Sequence, residues 1–236
     1  MKTILNLSPN YSKKNRLKRD IKFVIIHYTG MQSEIESIKR LKNPKFKVSC
    51  HYLINRKGKI VQMVKDKNIA WHAGKSMWKQ FKNLNKNSIG IELVNKGHQV
   101  GYQNFSSNQV KSLIKLCKNL KKKYSIKKED FLGHSDIAPL RKTDPGEKFP
   151  WKKLSTHNIG NWYDEKKVAN EDLKINKIEF LFFKNLKKLG YRYFNSKKKN
   201  FKNKLVIKSF QQHYLPKKVT GKIDQKTYKI SHFLTS

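Results

Sequence analysis

The chain has 236 residues, enough for one generous domain or a medium domain plus a small one, and too many for a disulfide-stapled miniprotein. Lys and Arg total 54 against 16 Asp and Glu, and the formal net charge of +38 calls for an anionic partner, unless it reflects a Lys- and Asn-rich coding bias over a solvated surface. Only Arg16, Arg19, Arg40, Arg56, Arg141 and Arg192 carry the guanidinium fork that base-edge reading favours, so specific nucleic-acid recognition is not expected.

Met1 to Asp20 holds basic residues but no apolar stretch long enough for a signal or membrane anchor. Phe23 to Ile26 is an uninterrupted apolar run that leads into His27, Tyr28 and Thr29 and stops at Gly30. It reads as a buried strand delivering polar groups at its carboxyl end. Ile35, Ile38 and Leu41 recur at helical spacing before Pro44. His51 to Asn55 and Lys59 to Val64 flank Gly58 as a hairpin. Ser88 to Asn95 is a further strand with Glu92 among apolar neighbours. Ser106 and Gln109 form a capping box ahead of the helix face Val110, Leu113, Ile114, Cys117 and Leu120.

The alternation up to Leu154 predicts an α/β fold, a central mixed β-sheet flanked by helices. Residues 156–171 lose periodicity and read as a linker. Beyond it, Ile178, Leu181, Phe182, Leu186 and Leu189 make one helical face that ends at Gly190. Leu205, Val206 and Phe210 make a second and Tyr228 to Leu234 a third, giving a small all-helical unit over 172–236. Cys50 and Cys117 have no C-x-x-C partner and are expected to be buried small hydrophobes.

The chemistry concentrates before the linker. His27 ends the buried strand, His134 lies in Gly133-His134-Ser135-Asp136, and Asp144 sits in Lys142-Thr143-Asp144-Pro145-Gly146. Two imidazoles and a carboxylate suit a catalytic metal site with an open position. The competing reading is a hydrogen-bonded core histidine and an aspartate that caps a turn. Glu92 is the acid/base candidate, because partial dehydration on a strand raises a carboxylate's proton affinity. Alternation equally permits a surface glutamate on an edge strand. Lys142 can place an ammonium beside a developing oxyanion, and Trp71 and His72 can edge a groove for sugar or peptide. Gly74-Lys75-Ser76 fails as a phosphate loop, because the glycine it requires five positions earlier is Ile69.

Six ordered segments carry a resemblance: Val24-Ile25-Ile26-His27-Tyr28-Thr29, Ser49-Cys50-His51-Tyr52-Leu53-Ile54, Ala70-Trp71-His72-Ala73-Gly74, Ser88-Ile89-Gly90-Ile91-Glu92-Leu93, Gly133-His134-Ser135-Asp136-Ile137-Ala138-Pro139 and Arg141-Lys142-Thr143-Asp144-Pro145-Gly146. Together they resemble the zinc-dependent N-acetylmuramoyl-L-alanine amidases of the amidase type 2 family, in the branch with a C-terminal helical peptidoglycan-binding domain. Phe210-Gln211-Gln212, Thr220-Gly221-Lys222-Ile223-Asp224 and Thr227 resemble that module more loosely.

The resemblance implies a fold shared with peptidoglycan recognition proteins, with a catalytic domain over 1–155 and a binding unit over 172–236. It implies a zinc hydrolase that cuts the bond between N-acetylmuramic acid and L-alanine. The ligands map to His27, His134 and Asp144, the catalytic glutamate to Glu92 and the lysine to Lys142. Cys50 and His51 are expected to pack and to orient neighbours, not to ligate. Small soluble muropeptides are expected to be cleaved without 172–236. Peptidoglycan or muropeptides are the expected partners of a monomer with no membrane span. The lack of an export signal implies a cytoplasmic site, with the cell envelope as the alternative. A non-catalytic recognition protein and a basic nucleic-acid binder are the competing functions; the intact ligand set favours catalysis.

Overall fold

The computed structural model describes residues 3–170, 178–198 and 200–236, so 171–177, at the junction of the expected linker and helical unit, lie outside the described residues. In chain order the strands are β1 (Ile4–Leu5), β2 (Tyr11–Ser12), β3 (Phe23–Tyr28), β4 (Tyr52–Ile54), β5 (Ile60–Gln62), β6 (Ile69–Ala70), β7 (Met77–Trp78), β8 (Phe81–Lys82), β9 (Ser88–Leu93) and β10 (Phe131–Gly133). The α-helices are α1 (Glu34–Lys42), α2 (Gly97–Val100), α3 (Ser107–Tyr124), α4 (His134–Ile137), α5 (Trp151–Ser155), α6 (Glu165–Asn170), α7 (Ile178–Leu189), α8 (Phe201–Tyr214) and α9 (Gln225–Phe233).

The main sheet runs β1-β5-β4-β9-β3-β10, parallel throughout except for the β4–β5 hairpin. This is the mixed sheet expected. A helix covers each face of β3. Val24 and Ile26 join Ile89, Ile91 and the α3 residues Val110, Leu113 and Cys117, whereas Phe23 and Ile25 join Leu132 and the C-terminal residues Phe182, Phe210 and Tyr228. Period-two alternation then places His27 with Phe23 and Ile25, on the face away from α3. Ser88, Gly90 and Glu92 of β9 share that face, because Ile89, Ile91 and Leu93 turn towards α3. Glu92 therefore sits on an inner strand between β4 and β3, which removes the edge-strand reading.

Two local expectations change. Ile35 is 66% exposed while Leu41 is buried, because Ile35 stands about 200° round the helix from the inward Ser37. Ser106 does cap α3 by accepting from the Gln109 amide, but the Gln109 side chain turns inward and donates to the Ile54 and Val94 carbonyls. The capping box is thus half formed, since a buried strand end competes for the amide. Cys50 and Cys117 are free and buried, as expected.

Within 156–171, α6 forms and Ile159, Tyr163 and Val168 are buried. Helices α7, α8 and α9 share one apolar cluster with Phe23, Ile25 and Leu132 of the sheet. Gly190, just past α7, lies so close to Trp78 that a Cβ there would fall 2.4 Å from the indole. This packing argues against cleavage surviving loss of 172–236, because truncation would uncover one face of the sheet. The Phe210-Gln211-Gln212 motif has a local use: Gln211 Oε1 accepts from the Thr220 and Gly221 amides while its Nε2 donates to the Lys222 carbonyl. Among the described residues no helix is long and apolar enough to cross a membrane.

Candidate active site and metal centre

Three adjacent parallel strands end together, and their carboxyl ends supply the site. His27 is the penultimate residue of β3 and pairs in register with Glu92 of β9. On the other side Gly133 closes β10 opposite Ile26, so His134 leaves the sheet directly beside His27. The Asp144 segment is fastened to the same turn, because the Ser135 amide donates to the Asp144 carbonyl at 2.8 Å. Parallel register thereby closes a gap of 107 residues that sequence spacing leaves open.

The three candidate ligand atoms converge. His27 Nδ1 lies 2.9 Å from His134 Nδ1, and each is 3.0 Å from Asp144 Oδ2. All three residues are buried. The outward ring nitrogens fix the protons by their partners. His27 Nε2 faces His72 Nδ1 at 3.1 Å; His72 Nε2 in turn faces Ser88 Oγ at 3.2 Å, and Ser88 Oγ donates to the Leu84 carbonyl at 2.6 Å. Read from that terminal acceptor, each donor runs one way, and His27 carries its proton on Nε2. His134 Nε2 lies 3.2 Å from the Ala73 carbonyl, a contact only an N–H can make, and 3.3 Å from the Arg141 guanidinium, which already donates to that same carbonyl; the carbonyl places the proton on Nε2. Both Nδ1 lone pairs and a carboxylate oxygen thus point at one another with no proton assigned between them. Such a set wants a cation, and two imidazoles with one carboxylate are the donors zinc takes.

Electrostatics agree. Burial, then the neighbouring His134, lowers His27 to about 4, so the ring is neutral near pH 7. Burial alone would raise Asp144, but His134 and His27 outweigh it and hold the carboxyl well below the usual range. Burial pushes Glu92 up to about 8, with Asp144 adding to the rise and Lys142 opposing it. Part of Glu92 reaches the cavity, but its Oε2 is buried and finds no partner among the described residues.

A cavity of about 500 Å³ opens over these groups, lined among others by Tyr28, Trp71, His72, Glu92, Arg141 and Lys142. Trp71 is held by its Nε1 donating to Ser12 Oγ at 3.1 Å. The Asn85 side chain accepts from the His72 and Ala73 amides and so fixes that segment. His72 lies against β9 only because residue 90 is Gly; a Cβ there would fall 2.3 Å from its ring. Cys50 and His51 stay out of the ligand set. The His51 Nδ1 accepts from the Gly90 amide, and its Nε2 meets Arg16 at 2.7 Å, which is the orienting role expected.

Several contributors escaped the sequence reading. Arg16 threads inward to the Asp66, Asn85, Lys86 and Ser88 carbonyls, and Arg141 clasps the Ala73 and Lys75 carbonyls beside His134. Tyr28 meets His98 and Thr143 at the rim. The available signal was the use of Arg in a chain whose default cation is Lys.

Comparison with known proteins gives a consistent picture. The family described as N-acetylmuramoyl-L-alanine amidase, amidase type 2, matches residues 17–147. N-acetylmuramoyl-L-alanine amidase AmiD of Escherichia coli is 35% identical over 229 residues, spanning 91% of this chain and 82% of that protein. Its solved complex with the substrate anhydro-N-acetylmuramic acid-L-Ala-D-γ-Glu-L-Lys superposes with a TM-score of 0.81 at 34% identity, covering 91% of this chain and 88% of that one. Pseudomonas aeruginosa AmpDh3 with an anhydromuramic pentapeptide gives 0.83 at 29% identity, with 95% of each chain covered.

Proposed function

The chain belongs to the N-acetylmuramoyl-L-alanine amidase family, and we propose that it hydrolyses the amide joining N-acetylmuramic acid to the first L-alanine of the stem peptide, using one zinc ion held by His27, His134 and Asp144. The observation that carries the zinc reading is the meeting of three buried lone-pair donors within about 3 Å. When bound, zinc supplies Lewis acidity towards the scissile carbonyl and towards the attacking water.

The protein's own groups do the rest. Glu92 accepts a proton as water adds to the carbonyl and returns it to the departing alanine nitrogen, so the amide becomes a carboxylic acid and an amine. Its unpartnered Oε2 leaves room for that proton, and cationic charge nearby draws its proton affinity down into the working range. Lys142, on the cavity wall, steadies the oxygen that gains negative charge. Trp71 and His72 edge the cavity and are proposed to border bound substrate. His72 has both ring nitrogens engaged with protein, so its larger part is to fix His27.

The muropeptides bound by AmiD and AmpDh3 support a muropeptide in this cavity. We assign the reacting groups to 1–155 and wall attachment to 172–236, joined through 156–171, with the C-terminal helices also covering one face of the sheet that carries those groups. A recognition protein without catalysis has no need of an unpartnered carboxylate beside converging lone pairs. The test is metal analysis of the purified protein together with mass spectrometry of products from sacculi and from anhydro-muropeptides. Free stem peptide appearing only with zinc present is expected; uncut muropeptide at full zinc loading would overturn the reading.

A further inference from the structure

Away from the substrate cavity, a second buried polar cluster joins the ligand-bearing turn to the C-terminal helices. Its centre is Asp136, two residues after His134 on α4 and 1% exposed. The Asp136 carboxylate receives the Gly133 amide at 2.7 Å on Oδ2, which fixes the turn locally. Its other partners come from far along the chain. The Tyr191 hydroxyl donates to Oδ1 at 2.6 Å, and His213 Nδ1 of α8 meets Oδ2 at 2.8 Å. The His213 ring is gripped from both sides, stacked on Trp151 at 4.0 Å and on Tyr214 at 4.1 Å.

We propose that Tyr191 and His213 are positioning residues of the metal centre, acting through Asp136, so that the C-terminal helical unit is part of the active-site scaffold. A buried carboxylate saturated by three donors has a single stable place, and losing a donor leaves charge uncompensated in a dry site. The turn must then shift or admit water. Because the Ser135 amide holds the Asp144 carbonyl at 2.8 Å, movement of α4 displaces His134 and Asp144 together. His27, fixed on β3, stays where it is. Two of three ligands would therefore drift relative to the third, a fault that appears in metal affinity before it appears in substrate binding.

The inference rests on the zinc reading above, and its test uses the full chain. His213→Phe keeps a stacking ring and removes the donor; Tyr191→Phe removes only the hydroxyl; His213→Asn restores a donor without the ring. Ile230→Ala, in the fully buried interior of α9, is the control for plain destabilisation. Zinc dissociation constants are measured by competition with a chromophoric chelator, below the melting temperature of every variant, with kcat and KM on a muropeptide alongside. Both Phe variants are expected to bind zinc about tenfold more weakly, with kcat reduced and KM unchanged. His213→Asn regains part of the affinity, and Ile230→Ala melts earlier at unaltered affinity. Parental affinity in both Phe variants overturns the proposal. So does an equal loss in Ile230→Ala, or failure of both Phe variants to fold where Ile230→Ala folds. A parent chain that binds no zinc would instead overturn the metal reading on which the proposal stands.

Discussion

Replacing Glu92 with Gln separates the acid/base role from the metal site, and the size of the effect follows from the burial of the carboxyl. Burial holds Glu92 at about 8 in the absence of metal. At pH 7, one unit below, protonated and ionised forms stand at roughly ten to one, so about nine-tenths of the molecules carry the proton. A divalent cation in the His27–His134–Asp144 triangle favours the ionised form, and that proton leaves on binding. His27, lowered to about 4, is already neutral and releases none. The parent chain should therefore release about 0.9 proton per zinc more than Glu92→Gln at pH 7, a difference that vanishes by about pH 10. Titration calorimetry in buffers of different ionisation enthalpy reads the number directly. The same variant should keep its zinc and lose about 10²–10⁴ in kcat. Equal proton release from both proteins, or surviving turnover in the variant, would refute the reasoning.

Removing the ring that holds His27 Nε2, in His72→Leu, should weaken zinc binding about 10–100-fold in chelator competition while substrate KM changes little. Lys142→Met should retain zinc and KM but lower kcat about 10²-fold, read in steady-state kinetics; a change confined to KM would place Lys142 on the substrate instead. Acid should destabilise the metal-free protein. His27 and His51 are lowered by burial to about 4 and about 3 while the unfolded chain titrates near 6.5, so below 6.5 the unfolded state takes protons that the native state refuses. Each group then removes up to about 1.4 kcal/mol per pH unit as pH falls towards its folded value. Glu92, raised to about 8, acts in the opposite sense over the same window, so melting temperatures in chelator at pH 7 and pH 5 are read on Glu92→Gln, where a higher value at pH 5 would be incompatible with neutral buried rings.

The parts of the fold legible in the sequence are those where one physical signal dominates. The run Phe23–Ile26 could only be a strand covered on both faces, and the α3 stripe of Val110, Leu113, Ile114, Cys117 and Leu120 could only be a helix on a core. The candidate ligands His27 and His134 were legible as polar residues left at the ends of apolar runs, and Asp144 as a carboxylate in the segment Lys142 to Gly146 that Pro145 stiffens. Their closure was not, because it depends on the register between β3, β9 and β10, which no local spacing encodes. Arginine carried a signal that charge counting hid. In a lysine-rich chain, Arg16, Arg56, Arg141 and Arg192 all direct their forks to backbone carbonyls, and Arg40 lies over the Phe46 ring. His213 was missed for another reason: Phe210, Gln211, Gln212, His213 and Tyr214 are all buried, so the C-terminal end of α8, unlike its start at Lys202 and Lys204, has no polar face from which an inward histidine would stand out.

The site is also where unsatisfied buried groups gather instead of occurring singly. Buried polar atoms are ordinarily satisfied, as those of Asp136, Gln211 and Arg16 are, and the buried side-chain atoms without a partner among the described residues outside the site, Trp78 Nε1, Gln109 Oε1, Trp162 Nε1, Ser209 Oγ and His213 Nε2, are scattered single atoms, none of them a carboxylate. Around the carboxyl ends of β3, β9 and β10, by contrast, three acceptors face one another and Glu92 Oε2 has no partner among the described residues. Packing alone would select against both, since each opposes folding and a leucine at either strand end would fill the space more cheaply. Their persistence is explained if the missing interactions are supplied by a cation and by the reacting water. The saturated Asp136 carboxylate is the complement of that arrangement. It sits two residues from His134, it is rigid where the site is unsatisfied, and it fastens the turn to helices that already cover the sheet. Neutral burial would leave the unsatisfied groups free to collapse upon each other, and a fixed turn is what keeps them apart.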